Sequence, residues 1–433
     1  MTTGSMIAIV FISFFVVLFV GVPIGVAIGG MCLLSIILLN NPMINVPYIF
    51  QTMYTSMDSF VLLAIPLFTL SGAIMSKGGL SKRLFNFFSY FVGKLPGGLP
   101  CAVIVTCLFY GAISGSATAT VMAVGSMCVP VLLEMGYDTR FSVTTVAVAG
   151  GLGVIIPPSI PFVQYGNTAQ VSVGDLFLGG VLPGILVAVC LMVYAIFYCK
   201  TKGEDREKIM ANYKQLHANG FLGLLKDSFW ALLTPVIILG GIYGGIVTNN
   251  EAAAISVDYG LFVCVVIYRT VKIKDLWGIM KTAASSIAPT VYIIAMAGAF
   301  GRCMALMGGQ EFVANMFLST GSKTGTLLII LGFLLILGCV MDVGPAILIL
   351  APVFNNIANS LGMNPVHMGV IVVVTLSIGF VTPPVGVSLY VATSLPGKVP
   401  FNQIAKQAVP YVCLFFLAAI IIAFVPQLSL ALI

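Results

Sequence analysis

Two short stretches set oxygen-bearing side chains where an apolar run is interrupted. Ile113-Ser114-Gly115-Ser116-Ala117-Thr118 places three hydroxyls around a glycine, and Cys339-Val340-Met341-Asp342-Val343-Gly344-Pro345 places one carboxylate between apolar segments. Sodium is a hard cation that prefers oxygen ligands, by the logic that governs calcium and magnesium. A broken helix exposes backbone carbonyls, and Ser and Thr add hydroxyl oxygens, so Ser114, Gly115, Ser116 and Thr118 offer both in one turn. The competing reading is structural: hydroxyls in membrane helices often bond back to a carbonyl one turn earlier. Asp342, in LLILGCVMDVGPAILIL, is costly unless it has a partner or a bound cation.

Arg302, in AMAGAFGRCMALMGG, is the other charge set in an apolar stretch. A guanidinium grips a carboxylate with two parallel hydrogen bonds, which makes Arg302 the natural ligand for an anionic substrate. Two blander roles stand beside that one. Arg302 pairs with Asp342 as a structural ion bridge, or it snorkels from the end of its span to the interface.

A second pair of interruptions follows the first: Gly153-Val154-Ile155-Ile156-Pro157-Pro158-Ser159 and Gly379-Phe380-Val381-Thr382-Pro383-Pro384-Val385. A helix restarting after such a break points its partly positive N-terminus at the cavity, which suits a carboxylate. Pro158, Ser159 and Pro384 are therefore expected to face the substrate along with Ser116 and Arg302.

The elements that hold these residues must lie in a bilayer. Of 433 residues 60% are apolar and only 7% charged, where a soluble domain carries roughly 25% charged residues. So few charges cannot clothe a water-soluble surface of this size, and the excess apolar surface must face lipid. The run from Met6 to Leu39 has no Lys or Arg ahead of it and is too long for a removable signal, so it is expected to span and stay. Ten cysteines occur singly without a C-x-x-C pair, and two histidines are too few for a metal cluster. A net charge of +6 points to cytoplasmic loops rather than to a nucleic-acid partner.

Clear spans are expected at about 6–39, 58–76, 174–199, 229–247, 250–270, 284–306 and 409–432. Segments 98–135, 138–170, 325–361 and 364–395 are interrupted by Gly and Pro, and broken backbone cannot face lipid, so they line a cavity or pack inside. The stretches 80–93 and 271–282 mix basic and aromatic residues, as interfacial amphipathic helices do. Gly21, Gly25 and Gly29 form a stripe suited to close helix packing.

Lys200 to Asp227 is the one hydrophilic stretch, and its lysines place it in the cytoplasm. It divides an internal repeat. At an offset of 226 residues, Gly72 and Ala73 match Gly298 and Ala299, Gly136 matches Gly362, and Gly153, Pro157 and Pro158 match Gly379, Pro383 and Pro384. Gly and Pro are positional punctuation in helices, so these coincidences carry weight that Leu or Val matches do not. Asp342 then falls on Ser116. Paired broken segments in two halves point to a transporter binding site. The expected architecture is an all-α membrane protein with two inverted repeats, each a re-entrant hairpin followed by a discontinuous helix. The expected divisions are N-terminal scaffold helices 1–57, a first repeat 58–199, a cytoplasmic linker 200–228, scaffold helices 229–283 and a second repeat 284–433.

At ISGSATATVMAVGSMCVPVLLEMGYD, GVIIPPSIPFVQYG, MDVGP and GFVTPPVGVSLY the sequence resembles the large membrane subunit of tripartite ATP-independent periplasmic (TRAP) transporters. The resemblance extends over essentially the whole chain. It implies a sodium-coupled elevator in the bacterial inner membrane. It also implies a small four-helix membrane subunit and a periplasmic binding protein that delivers a small organic acid, such as sialic acid or a C4-dicarboxylate. Because the chain starts straight into its first span, the small subunit is expected as a separate polypeptide. By similarity, sodium ligands come from 114–118 with Gly153 and Pro157, and from Asp342 and Gly344 with Gly379, Thr382 and Pro383. The alternative within the same superfamily is a self-sufficient sodium/carboxylate symporter. A membrane-embedded transferase is the alternative from another class, but no nucleophile–base motif supports it, and Gly321-Ser322-Lys323-Thr324 lacks the glycine a phosphate loop needs before its lysine.

Overall fold

The computed structural model describes residues 2–39, 44–218 and 220–433, and among them every regular element is helical. The first half opens with α1 (Thr3–Phe19), α2 (Ile24–Leu39), α3 (Val46–Met57), α4 (Ala64–Lys77) and α5 (Leu80–Val92). A hairpin of α6 (Gly98–Ser114) and α7 (Ala117–Glu134) follows, then α8 (Thr139–Ala149), a break, α9 (Ile160–Ala169) and the long α10 (Val173–Lys202). The linker forms α11 (Arg206–Ala218). The second half contains α12 (Gly220–Tyr243), α13 (Asn249–Leu261, continued by a π-turn over Phe262–Ile267), α14 (Ile273–Leu306) and α15 (Gly309–Leu318). Its hairpin is α16 (Lys323–Val340) with α17 (Val343–Ser360). After it come α18 (Pro365–Gly379), a second break, α19 (Val387–Ala392), α20 (Phe401–Phe424) and the short α21 (Gln427–Leu430). Among the described residues nine helical segments are long and apolar enough to cross a membrane, so the chain is a multi-pass protein.

The repeat read from Gly and Pro is a repeat of elements. Ala117 opens α7 and Val343 opens α17, and both breaks carry a cis bond, Pro157–Pro158 and Pro383–Pro384. α8, α9 and α10 correspond in the same way to α18, α19 and α20. The correspondence also runs further toward the N-terminus than the sequence matches do. α3 and α4 together fall on α14. In the first half Asp58 and extended Ser59 (φ −123°) separate the two helices, whereas the second half runs through without a stop. The stretch 271–282, expected as a separate interfacial helix, is therefore the opening of a 34-residue helix. No Gly or Pro stands between Met280 and Ala288 to end it, and Pro289 is accommodated in its interior.

A second correction concerns residues 6–39, which form two helices. Gly21 takes a left-handed φ of +93° and Pro23 directly precedes α2, so the chain turns there. The glycine stripe divides accordingly. Gly21 belongs to the turn, while Gly25 and Gly29 face Tyr292 and Met296 of α14, where a Cβ on Gly25 would stand 2.5 Å from the Tyr292 ring. The stripe thus serves packing within the chain.

The two halves pack crosswise. α7 lies against α19 and α17 against α9, as α2 lies against α14 and α4 against α13. Inside each half the first hairpin arm crosses the break at a pair of glycines, Gly111 on Gly153 and Gly338 on Gly379, with no room for a side chain between the backbones. This exchange of partners brings both hairpin tips to one place.

Candidate substrate and ion site

That place is a cavity of about 610 Å³. One wall is made by the two hairpin tips, Ser114 to Ala119 and Asp342 to Pro345. Val154, Ile160 and Gln164 close it from the first half, Phe380 and Val387 from the second, and Thr69 and Ser76 of α4 with Thr282, Ser286 and Thr290 of α14 add hydroxyl-bearing residues to the lining.

At the first tip Gly115 takes a left-handed φ of +61°, which ends α6 and lets Ser116 restart the chain as the cap of α7. The Ser116 hydroxyl accepts from Ala119 N at 3.5 Å and lies 3.2 Å from Thr118 Oγ1. Thr120 Oγ1 donates to the Ser116 carbonyl at 2.8 Å, which leaves the Ser114 hydroxyl, 3.0 Å away, to donate to Thr120. Hydroxyl and carbonyl oxygens are therefore gathered at a single turn. The break reaches the same turn. Ile160 N donates to the Gly115 carbonyl at 3.4 Å, and a Cβ on Gly153 would stand 2.8 Å from the Ser116 carbonyl oxygen.

At the second tip Asp342 caps α17, accepting from Val343 N at 2.8 Å. Met341 and Val343 beside it are buried, but Asp342 itself is open to the cavity. Among the described residues it is the one charged group in the lining. The second break is joined to this hairpin by Val385 N, which donates to the Cys339 carbonyl at 3.3 Å, and Thr382 Oγ1 donates to the Ile378 carbonyl at 2.7 Å.

The structure thus gathers Ser114, Gly115, Ser116, Thr118, Asp342 and Gly344 around the cavity. Gly153, Pro157, Pro158 and Ser159 are buried and outside its lining. Ser159 caps α9, accepting from Phe162 N while it donates to the Val154 carbonyl at 2.5 Å. Gly379 lies under Gly338, while Pro383 and Pro384 are exposed and also outside the lining. Arg302 is not brought to the cavity. It sits exposed near the end of α14, and the ion pairs among the described residues, Arg83 with Asp227 and Lys208 with Asp205, do not include it. The bridge to Asp342 weighed from sequence is absent from this structure.

Two residues of the site were not singled out from sequence. Thr120 is the last hydroxyl of Ser-Ala-Thr-Ala-Thr, one turn after Ser116, and that spacing was the available signal. Gln164, one turn after Ile160, is only 2% exposed, and its Oε1 has no hydrogen-bond partner among the described residues. Its amide lies against Gly344 of the other repeat, with Oε1 3.2 Å from where a Cβ would be. Among the described residues no Lys, Arg or His lines the cavity, so an anion placed there would be countered by the N-termini of α7, α9 and α17 rather than by a basic side chain.

The chain resembles known transport proteins over its length. Residues 11–428 match the family model described as tripartite ATP-independent periplasmic transporter, DctM component. It is 41% identical to the isethionate TRAP transporter permease protein DctMQ of Oleidesulfovibrio alaskensis, over 98% of this chain and 65% of that longer protein. It is 36% identical to the C4-dicarboxylate TRAP transporter large permease protein DctM of Pseudomonas aeruginosa, over 88% of each. It is 33% identical to the sialic acid TRAP transporter large permease protein SiaM of Vibrio cholerae, over 96% of this chain and 95% of that one. Among solved structures, the YdaH transporter of Alcanivorax borkumensis shares the fold at a TM-score of 0.57 and 14% identity, covering 87% of this chain and 88% of that one. These relatives are transport permeases rather than enzymes. The continuity of the match, through both hairpins and both breaks, makes this chain a member of the DctM component family of tripartite ATP-independent periplasmic transporters.

Proposed function

We propose that this chain is the permease through which a small organic anion, received from a periplasmic binding protein and in company with a small membrane subunit, crosses the inner membrane together with sodium. The observation that carries the reading is the cavity itself. Two oxygen-rich hairpin tips from opposite repeats meet in it, with one carboxylate and no basic side chain among the described residues. Such a lining attracts a hard cation first, and the bound cation then offsets the charge of the anion. Sodium would be held by the hydroxyls and carbonyls of the Ser114–Thr120 turn with the Gly153–Pro157 break, and by Asp342 and Gly344 with Gly379, Thr382 and Pro383. The anion would lie between, against Ser116 and Gln164.

The two hairpins with their re-started helices form the body that would move, and α2–α4 with α12–α14 form the frame it would move against, in an elevator with inverted repeats. The crosswise packing supports this division, because each tip leans on the other repeat's mobile helix. Two or more sodium ions with one monovalent anion would make the step electrogenic, and the membrane potential then adds roughly 2.3 kcal/mol per net charge at 100 mV.

Three of the relatives are named for isethionate, C4-dicarboxylate and sialic acid, which supports a small sulfonate or carboxylate as the substrate class. The test is uptake of these three radiolabelled anions into proteoliposomes, with and without the small subunit and binding protein, under an inward sodium gradient or none. Uptake that needs all components and sodium supports the reading. Uptake by the chain alone would make it a self-sufficient symporter, and uptake indifferent to sodium would remove the coupling.

A further inference from the structure

The end of the molecule next to the linker helix is strongly basic. α4 ends at Lys77, α5 opens with Lys82 and Arg83, and α12 carries Lys226. The π-turn is followed by Arg269, and α14 opens on Lys272 and Lys274 and carries Lys281 two turns on. Packing holds these ends together. Ile74, Leu80, Leu84, Ala231, Val271 and Ile279 share one small core beneath them. Above it Arg83 Nε meets Asp227 at 3.1 Å, and the Arg83 guanidinium lies 3.7 Å over the Tyr268 ring. Thr270 Oγ1 donates to the Gly78 carbonyl at 3.0 Å, joining α14's approach to the end of α4.

The acidic groups nearby are already engaged. Asp227 pairs with Arg83, and Asp275 Oδ2 accepts from Lys272 N at 3.1 Å to start α14. Of the eight cations only Arg83 has an ion-pair partner among the described residues, and the other seven are exposed. Beside them on α14, Ile273 and Trp277 are 77% and 75% exposed, one turn apart. Lys274 and Lys281 lie two turns apart on the flank of that apolar stripe. Exposed Trp next to uncompensated Lys, at the end of a membrane-crossing helix, is the pattern of a side chain at headgroup depth.

We infer that this patch binds the headgroup of an anionic phospholipid, with Lys272, Lys274 and Lys281 on its phosphates and Trp277 and Ile273 along the upper acyl chains. Charge complementarity selects the ligand, and the apolar stripe selects a lipid over a soluble acidic partner, because only a lipid supplies acyl chains beside its phosphate. Since α14 also lines the substrate cavity through Thr282, Ser286 and Thr290, the lipid would grip the frame rather than the hairpins.

The test uses the full purified chain in neutral detergent with fluorescent tetraoleoyl cardiolipin. Expected is saturable binding, displaced by unlabelled cardiolipin and by phosphatidylglycerol, and not by phosphatidylcholine or inorganic phosphate. Each cation near the surface contributes about fivefold, so Lys272→Gln with Lys274→Gln and Lys281→Gln should weaken binding on the order of a hundredfold. The double variant Lys208→Gln with Lys214→Gln, on the linker helix, should bind as the parent does. A monodisperse triple variant that binds with unchanged affinity overturns the site, as does displacement by inorganic phosphate alone. If the triple variant is not monodisperse, Trp277→Ala with Lys281→Gln decides by the same readout, with a loss expected on the order of tenfold.

Discussion

Ser116 and Asp342 occupy the same position in the two repeats, each the residue on which the second arm of its hairpin begins, and each turns its side-chain oxygen to the amides of the helix it starts. The local geometry is shared and the chemistry is not. One tip offers hydroxyls and carbonyls, and the other adds a full negative charge. The second tip also lacks the supporting hydroxyl, because Ala346 stands where Thr120 does in the first. On the proposed function, a cation at the second tip would depend on one carboxylate, whereas at the first it would be shared among several neutral oxygens.

Asp342→Asn keeps the cap on α17 and removes the charge. The expected result is sodium dependence of uptake that loses cooperativity, with a Hill coefficient falling toward one and normal levels of protein in the membrane. A sodium titration of uptake checks it. If expression falls and the titration curve keeps its shape, Asp342 serves the fold rather than the ion.

Ser114→Ala with Thr120→Val removes two linked hydroxyls from the first tip while leaving the Ser116 cap. Hydrogen bonds to charged groups contribute about 1.5–3 kcal/mol, so half-saturation by sodium should rise tenfold or more. Uptake measured across sodium concentrations decides the matter, and an unmoved midpoint would mean that the hydroxyls only brace the turn.

Gly153 leaves no room for a methyl group, since a Cβ there would stand 2.5 Å from Thr120 Oγ1 and 2.8 Å from the Ser116 carbonyl oxygen. Overpacking of this kind costs about 1–3 kcal/mol, and here the strain lands on the Ser114–Thr120 turn proposed to hold the ion. Gly153→Ala should weaken sodium activation. Gly151→Ala, whose nearest neighbour is the Phe415 ring at 3.4 Å, should be tolerated. Equal behaviour of the two variants would argue against an ion-facing role for the turn.

Gln164→Leu conserves volume and removes the one buried side-chain amide in the lining among the described residues. Loss of a hydrogen bond of about 1 kcal/mol should raise the KM for substrate severalfold with little change in the sodium midpoint. A change confined to sodium activation would reassign Gln164 to the ion.

Arg302→Ala tests the placement of the remaining charge. It is exposed and outside the cavity lining, so the change should alter folding stability by within about 0.5 kcal/mol and leave KM near that of the parent. Abolished uptake by a well-folded variant would show that α14 carries this guanidinium to the substrate in another conformation.

Much of this arrangement was legible in the residues. The excess of apolar over charged residues determined a membrane protein, and Gly and Pro at matched positions determined two hairpins and two breaks, because those residue types act on the backbone within a turn of where they stand. The hydroxyls of 114–118 and the carboxylate of Asp342 were visible for the same local reason. What tertiary structure decided was orientation and partnership. Whether α14 stops after Ala283 or runs on to Leu306, and whether Arg302 looks into a cavity or away from it, depends on how that helix is turned against α2, α3 and α4. Gln164 becomes a cavity residue only because α17, from the opposite repeat, is laid against α9. Periodicity and punctuation are local signals, and a contact between residues 180 positions apart is set by the packing of whole helices, which no single stretch of sequence contains.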